Sequence, residues 1–170
     1  MNDLLSQSLI RIGDNIDSSA PIFHFSHANG YAPLAYSQFL KPYQTSHQVL
    51  ASQHKPLWQH ALDPEATKSW LTFSQDILDP LKMIEKPVTS VGHSMGSAAI
   101  TMAASQRPEH FGHLVLIEPV LVPTSYYVIL RLFGKHVANR VPLVSRTLNR
   151  IDNWDSPEQC FAHFRPKSVF

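Results

Sequence analysis

The sequence predicts an α/β fold in which a mostly parallel sheet carries helices on both faces. Short apolar runs alternate along the chain with segments of helical periodicity, an order typical of a parallel sheet with helical connections. The run 114–117 is apolar at every position, as expected for a strand with helices on both sides. With 44% hydrophobic residues among 170, the chain can bury a core of domain size.

The first third of the chain predicts two strands, a helix and a third strand. Residues 8–12 form an alternating run that ends at a Gly-Asp pair, which indicates a leading antiparallel strand and a turn. A short apolar run at 21–26 predicts a buried strand and leads into a glycine-containing loop. We expect a helix over 33–41 and the next strand over 47–52.

The middle of the chain predicts a second helix, a strand and a third helix. The spacing predicts a helix within 64–85, followed by a strand at 87–91. The helix after residue 96 is rich in alanine, which permits close approach to a sheet, and it should end before Pro108. The apolar residues of the 64–85 helix recur at spacings of three and four: Trp70, Phe73, Ile77, Leu81 and Ile84.

The pattern Gly-His-Ser-Met-Gly at 92–96 lies between a predicted strand and a predicted helix. A serine hydroxyl is a weak nucleophile, so it must be exposed where a base and oxyanion donors can reach it. A strand-to-helix turn with Ser94 at its apex provides that exposure, and its two glycines allow the backbones to meet. Ser94 is therefore the predicted nucleophile, against the alternative of a chance glycine-flanked turn.

Two backbone N–H groups are candidates for an oxyanion hole. The N–H of Met95 follows the nucleophile at the start of a helix. A second donor should come from the loop after an earlier strand, where His27-Ala28-Asn29-Gly30-Tyr31 stands. We favour the N–H of Tyr31, with Asn29 as the alternative; the loop could also be only a glycine turn.

Three motifs together give the chain a family resemblance. It resembles α/β-hydrolases that carry a His-Ala-Asn-Gly loop, an Arg/Lys-Pro-Leu-Trp segment and a Gly-His-Ser-x-Gly elbow. In this sequence these are His27–Gly30, Lys55–Trp58 and Gly92–Gly96, with Glu118-Pro119-Val120 after a later strand. The resemblance implies a serine hydrolase that needs no cofactor or metal, and it leaves the scissile bond undetermined.

The resemblance also implies a division of the chain. Residues 1–123 would be the N-terminal part of the hydrolase core, and residues 124–170 the start of a helical cap, where 126–133 looks like inserted helix or an ordinary surface helix. Complete members place the catalytic acid and then the histidine after further strands. We therefore expect the chain to be truncated within the cap, to lack both residues, and to be inactive by itself.

The residues present offer poor substitutes for the missing acid and base. His93 adjoins Ser94, but neighbouring side chains on a tight turn diverge, so a supporting role is favoured over that of base. Glu118 ends the strand after the elbow helix and is a possible acid, although a strand-end carboxylate bonded to a neighbouring loop is the simpler interpretation. The pairs His24/His27 and Cys160/His163 do not make a four-ligand metal site.

Composition restricts the class of protein further. Fourteen basic and thirteen acidic residues without a basic cluster make nucleic acid a poor partner, and one cysteine excludes an internal disulfide. The N-terminus has no leader pattern, and the apolar runs are too short to span a bilayer, so we expect a soluble, cytoplasmic chain without stable membrane insertion.

The predicted function is hydrolysis of a carboxylic ester or a similar small acyl substrate by Ser94. His27, Trp58, Tyr126 and Tyr127 are candidates for a substrate pocket, although aromatic residues more often serve packing. The alternative is a non-catalytic, hydrolase-like binding domain. We also expect self-association through an uncovered edge of the sheet after the 114–117 strand.

Overall fold

Five strands of the computed structural model form one sheet in the order β1-β3-β2-β4-β5. The leading strand β1 pairs antiparallel with β3, and the other neighbours in the sheet are parallel. The predicted α/β architecture is therefore confirmed, including the antiparallel first strand. The strands are β1 Leu9–Arg11, β2 Ile22–Ser26, β3 Gln48–Ser52, β4 Val88–His93 and β5 Phe111–Ile117.

The structure describes residues 7–14, 17–58, 69–120, 134, 149, 151 and 153–167. The chain divides into two compact units, Met1–Leu121 and Val122–Phe170. The first unit contains the whole sheet.

The segment between β2 and β3 is helical, but it is not the single helix predicted over 33–41. It consists of a 3-10 turn at Pro33–Tyr36, one turn of α-helix at Ser37–Leu40 (α1) and a second 3-10 turn at Lys41–Thr45. Each 3-10 turn has a proline in its first two positions, where the fixed φ suits the turn and no N–H is required. The segment buries Leu40 completely against one face of the sheet.

The second helix, α2, spans Trp70–Leu81 and is shorter than predicted at its C-terminal end. Ser69 caps it by accepting a hydrogen bond from the Leu71 N–H at 3.2 Å. Pro80 lies inside the helix, and the N–H groups of Met83 and Ile84 bond to carbonyls three residues back, so the α-helix gives way to tight turns after Leu81. The predicted start at residue 64 lies outside the described residues.

The third helix, α3, spans Met95–Gln106 and follows β4 after a single intervening residue. Ala99 and Ala103 are fully buried, which confirms that small side chains bring this helix close to the sheet. Val88 and Val91 of β4 belong to two separate core clusters. The two residues are an odd number of positions apart and point to opposite faces of the strand, so the sheet carries packed helices on both faces.

Strand β5 is longer than predicted and less buried. It begins at Phe111 rather than at residue 114, and Leu114, Val115 and Leu116 are 39%, 48% and 39% exposed. The expectation that helices cover both of its faces is therefore wrong for the described part of the chain. The reason is its position, since β5 is the last strand in the order of the sheet and pairs with β4 alone among the described strands.

We expect the exposed edge to cause self-association of the chain. An apolar edge strand presents unpaired backbone groups to another chain, and here an apolar cavity of about 360 Å³ opens beside Val115 and Ile117. The substitution Val115→Lys should shift the protein toward monomer in sedimentation velocity, whereas Ser105→Lys, on the exposed side of α3, should not. A monomeric wild-type chain at micromolar concentration would contradict this expectation.

In the second unit, the described residues include helix α4, Pro157–Phe164. Ser156 caps this helix by accepting a hydrogen bond from the Gln159 N–H at 3.2 Å. None of the helices within the described residues has the length and apolar character needed to cross a membrane. The predicted helical insertion at 126–133 lies outside those residues.

Candidate active site

Ser94 occupies a strained turn between β4 and α3. Its φ of +54° and ψ of −113° lie in a region that residues with a side chain rarely adopt. The N–H of Ser94 donates to the carbonyl of Ile117 on β5 at 2.9 Å, which ties the strained residue to the neighbouring strand. Ser94 is only partly buried. The structure thus places Ser94 at the apex of a strand-to-helix turn, as predicted.

The two glycines of the motif are required by close backbone contacts. A Cβ at Gly92 would lie 2.6 Å from the backbone of Ser97, and a Cβ at Gly96 would lie 2.1 Å from the carbonyl oxygen of Ser26. Real Cβ atoms essentially never come so close to another heavy atom. The contact of Gly96 also brings the start of α3 against the end of β2. The turn and the loop after β2 are therefore neighbours.

Sequence reasoning missed Ser97, which supports the turn from inside. Its hydroxyl is fully buried, donates to the carbonyl of Gly92 and lies 3.1 Å from the carbonyl oxygen of Ile117. A serine one turn into a helix has no sequence signal that distinguishes this role from an ordinary surface position.

The backbone N–H and carbonyl of Ala28 hold the loop after β2 in place. The Ala28 N–H donates to the hydroxyl of Tyr36 at 3.2 Å. The Ala28 carbonyl accepts from Nδ1 of His27 at 2.8 Å and from the N–H of Tyr31 at 3.2 Å. Gly30 has a φ of +78°, the left-handed conformation that the turn requires. The Tyr31 N–H, the donor that we favoured for the oxyanion hole, is thus engaged within its own turn.

His93 contacts groups other than Ser94. Its Nδ1 lies 2.8 Å from the hydroxyl of Tyr36, and its Nε2 lies 3.9 Å from Oε2 of Glu118. Because Tyr36 also binds the Ala28 N–H, His93 links the turn at Ser94 to the loop after β2. The structure therefore gives His93 the supporting position that sequence reasoning favoured.

Glu118 follows β5 with a φ of +44°, and its side chain is 86% exposed. Among the described residues, Nε2 of His93 lies 3.9 Å from Oε2 of Glu118. Within the described part of the chain, no histidine makes a hydrogen bond with Oγ of Ser94. Glu118 is therefore not joined to Ser94 through a described histidine.

A second series of serine, histidine and aspartate lies buried behind the loop. Oγ of Ser26 lies 3.0 Å from Nε2 of His54, and Nδ1 of His54 lies 3.6 Å from Oδ2 of Asp76. The three residues are at most 2% exposed, so substrate has no access to this serine. The series joins the end of β2 to α2 and was not visible in the sequence.

The proposed pocket residues are found in different surroundings from those expected. His27 is 2% exposed and both of its ring nitrogens contact backbone atoms, so it lies beneath the loop and does not line an open pocket. The indole N–H of Trp58 donates to the carbonyl of Gln53 at 2.8 Å and closes the turn after β3. Tyr126 and Tyr127 lie outside the described residues.

Two buried histidines of β2 and its loop are held neutral. Burial, with a smaller contribution from His54, lowers the pKa of His24 to about 3 and that of His27 to about 4. The ring of His24 bridges the hydroxyls of Ser52 and Ser90, at 2.7 and 2.6 Å, and so links β3, β2 and β4.

These two histidines predict a loss of stability in mild acid. Below their usual pKa of 6.5, the unfolded chain binds protons that the folded chain does not, so the free energy of unfolding falls as the pH falls toward 4. Between pH 7 and pH 5 we expect a loss of about 2 kcal/mol for each ring. Denaturant unfolding across this range measures the loss.

The substitution His24→Gln should remove about half of that pH dependence, and replacement of the exposed His113 by Gln should leave it unchanged. NMR titration gives a direct check, because the ring signals of His24 and His27 should not titrate above pH 5. Titration of either ring near pH 6.5 in the folded protein would contradict the expectation.

Known proteins resemble this chain in sequence and in fold. No family model matches the chain. Monoglyceride lipase of Rattus norvegicus is 31% identical over 112 residues, which are 62% of this chain and 36% of that protein. The chain therefore matches little more than a third of the length of this curated relative.

Solved structures show the same fold. The thioesterase domain from the curacin biosynthetic pathway has a TM-score of 0.62 and 24% identity, over 79% of this chain and 50% of that chain. A monoacylglycerol lipase of Paleococcus ferrophilus has a TM-score of 0.55 and 15% identity, over 76% of this chain and 51% of that one. At these identities the structures establish the fold alone. The chain therefore has the α/β-hydrolase fold, and over 112 residues its sequence is similar to a monoglyceride lipase.

Proposed function

We propose that Ser94 is the nucleophile of a hydrolase that cleaves carboxylic esters. The observation that carries the proposal is the strained backbone of Ser94, with φ at +54° between β4 and α3. Such strain costs on the order of 1–3 kcal/mol and persists where the surrounding structure holds it, as at active sites. Here the Ile117 carbonyl and the backbone contacts of Gly92 and Gly96 hold it.

The reaction follows the order of serine hydrolases. Oγ of Ser94 attacks the acyl carbonyl while a base takes its proton, and the tetrahedral intermediate expels the alcohol to leave an acyl-serine. Water then releases the acid by the same steps. We propose that the base and its carboxylate partner come from outside the described residues.

Two backbone N–H groups are proposed to stabilise the oxyanion. Met95 is the first residue of α3, so its N–H has no carbonyl acceptor within that helix. For the second donor we now favour Asn29 over Tyr31, because Nδ1 of His27 binds the Ala28 carbonyl and so orients the Asn29 N–H of the same peptide. The contact between Gly96 and the end of β2 supports this pairing, since it brings the loop beside the turn.

The proposed substrate class is a fatty acyl ester of a small alcohol. The support is the 31% identity to a monoglyceride lipase. A non-catalytic binding domain is the competing candidate, and the observation that favours it is that no described histidine makes a hydrogen bond with Ser94.

A labelling experiment separates the two candidates. The complete gene product would be treated with a fluorophosphonate, which reacts with an activated serine, and the adduct located by mass spectrometry. We expect a single adduct on Ser94 and hydrolysis of 4-nitrophenyl esters and of a monoacylglycerol. Absence of both labelling and hydrolysis would favour the binding domain, whereas hydrolysis of an acyl thioester alone would correct the substrate class.

A further inference from the structure

A buried chain of contacts begins at Asp76 on α2. Asp76 is 2% exposed. Its Oδ2 accepts the backbone N–H of Lys55 at 3.1 Å, and its Oδ1 lies 3.0 Å from the ammonium group of Lys55. Burial raises the pKa of this carboxyl, but the contacts with His54 and Lys55 outweigh burial and keep the pKa below the usual value. Asp76 is therefore an ionised anchor for the turn that contains both residues.

The turn anchored by Asp76 determines which nitrogen of His27 carries the proton. The backbone N–H of His54 donates to Nε2 of His27 at 3.3 Å. A backbone N–H can only donate, so Nε2 of His27 must accept and the neutral ring carries its proton on Nδ1. The ring of His54 itself lies between the side chains of Ser26 and Asp76.

His27 in turn orients the peptide that follows it. Its Nδ1–H donates to the carbonyl of Ala28 at 2.8 Å. The Ala28 carbonyl and the Asn29 N–H belong to one planar trans peptide, so they point in opposite directions. Holding the carbonyl oxygen against His27 therefore fixes the direction of the Asn29 N–H.

We propose that Asp76 is a positioning residue of the oxyanion hole, acting through the His54 turn and the His27 ring on the Ala28–Asn29 peptide. The inference rests on the proposed function, in which the Asn29 N–H binds the oxyanion. An oxyanion donor is effective because it is oriented before the charge develops, so loss of its support weakens the transition state more than the ground state.

The test replaces Asp76 with Asn in the complete gene product. The amide keeps the size of the carboxylate but not the charge that pairs with Lys55. We expect kcat for an ester to fall by about tenfold to a hundredfold, with KM nearly unchanged. Asp79→Asn is the matched control, since Asp79 lies on the same helix with an exposed carboxylate that pairs with Lys82, and it should change neither constant.

The tautomer of His27 can be measured without an enzyme assay. ¹⁵N NMR should show the proton on Nδ1 in the wild-type chain and in Asp79→Asn, and a mixture of tautomers in Asp76→Asn. Should Asp76→Asn not fold, Lys55→Met removes the partly exposed ammonium instead and should change the tautomer and kcat in the same directions.

An unchanged kcat or an unchanged tautomer in a folded variant would overturn the proposal. A fall in thermal stability with kcat and tautomer preserved would also overturn it, since Asp76 would then serve the fold alone. Failure of the proposed function is recognised separately, because the wild-type protein would then show no ester hydrolysis, or Ser94→Ala would retain it, whatever the tautomer of His27.

Discussion

Replacing Ser94 with Ala is expected to abolish ester hydrolysis by the complete gene product, with kcat/KM falling on the order of 10⁴-fold to 10⁶-fold. The change removes the oxygen proposed to form the acyl intermediate and leaves the backbone of the turn in place. Such a loss corresponds to about 5–8 kcal/mol of transition-state stabilisation. Initial rates with a 4-nitrophenyl ester measure the loss of activity. Mass spectrometry shows whether the fluorophosphonate adduct is lost as well.

Ser105→Ala is the matched control. Ser105 lies on α3, the helix that Ser94 precedes, and its exposed hydroxyl donates to the carbonyl of Met102 at 2.8 Å. It should retain full activity. Undiminished turnover by Ser94→Ala would remove this serine from the mechanism, and with it the proposed function.

Replacing Gly96 with Ala is expected to damage both stability and activity. The new Cβ would lie 2.1 Å from the carbonyl oxygen of Ser26 and 2.8 Å from that of His27. These are backbone atoms of β2 and the loop after it, so no rotation of a side chain relieves the clash. We expect a loss of about 3 kcal/mol or more in the free energy of unfolding, at the upper end of overpacking effects.

Activity should fall further than stability alone explains. Moving the start of α3 away from β2 shifts Ser94 and the Met95 N–H relative to the loop, and displacement of about 1 Å at a reacting group can cost about a hundredfold in rate. Denaturant unfolding and ester kinetics on the same preparation separate the two effects.

Gly112→Ala is the control for Gly96→Ala. A Cβ at Gly112 meets Pro87 and Val88 at 3.7 and 3.8 Å, which is ordinary van der Waals contact. It should therefore keep its stability to within about 1 kcal/mol and keep its activity. If Gly96→Ala behaved like Gly112→Ala, the close approach between the turn and β2 would not be essential.

The elements best predicted from sequence are those encoded locally. Alternating and apolar runs predicted all five strands, helical spacing predicted α2, and the alanine-rich run predicted α3. The glycines beside Ser94 predicted a turn, because only glycine allows the backbones to meet there. The predicted ends of the helices and strands were less accurate. Helix α2 ends at Leu81, where the hydrogen bonds change to those of tight turns, and β5 begins at Phe111, where pairing with β4 begins.

The sequence by itself determined the α/β class, the position of Ser94 in a strand-to-helix turn and the small residues around it. Only the tertiary structure decided that the His54 N–H binds the ring of His27 and that Asp76 anchors the turn containing His54. The physical reason is distance along the chain. Periodicity and glycine act on adjacent residues, whereas a hydrogen bond across 20 or more residues depends on how strands and helices pack, which no local pattern contains.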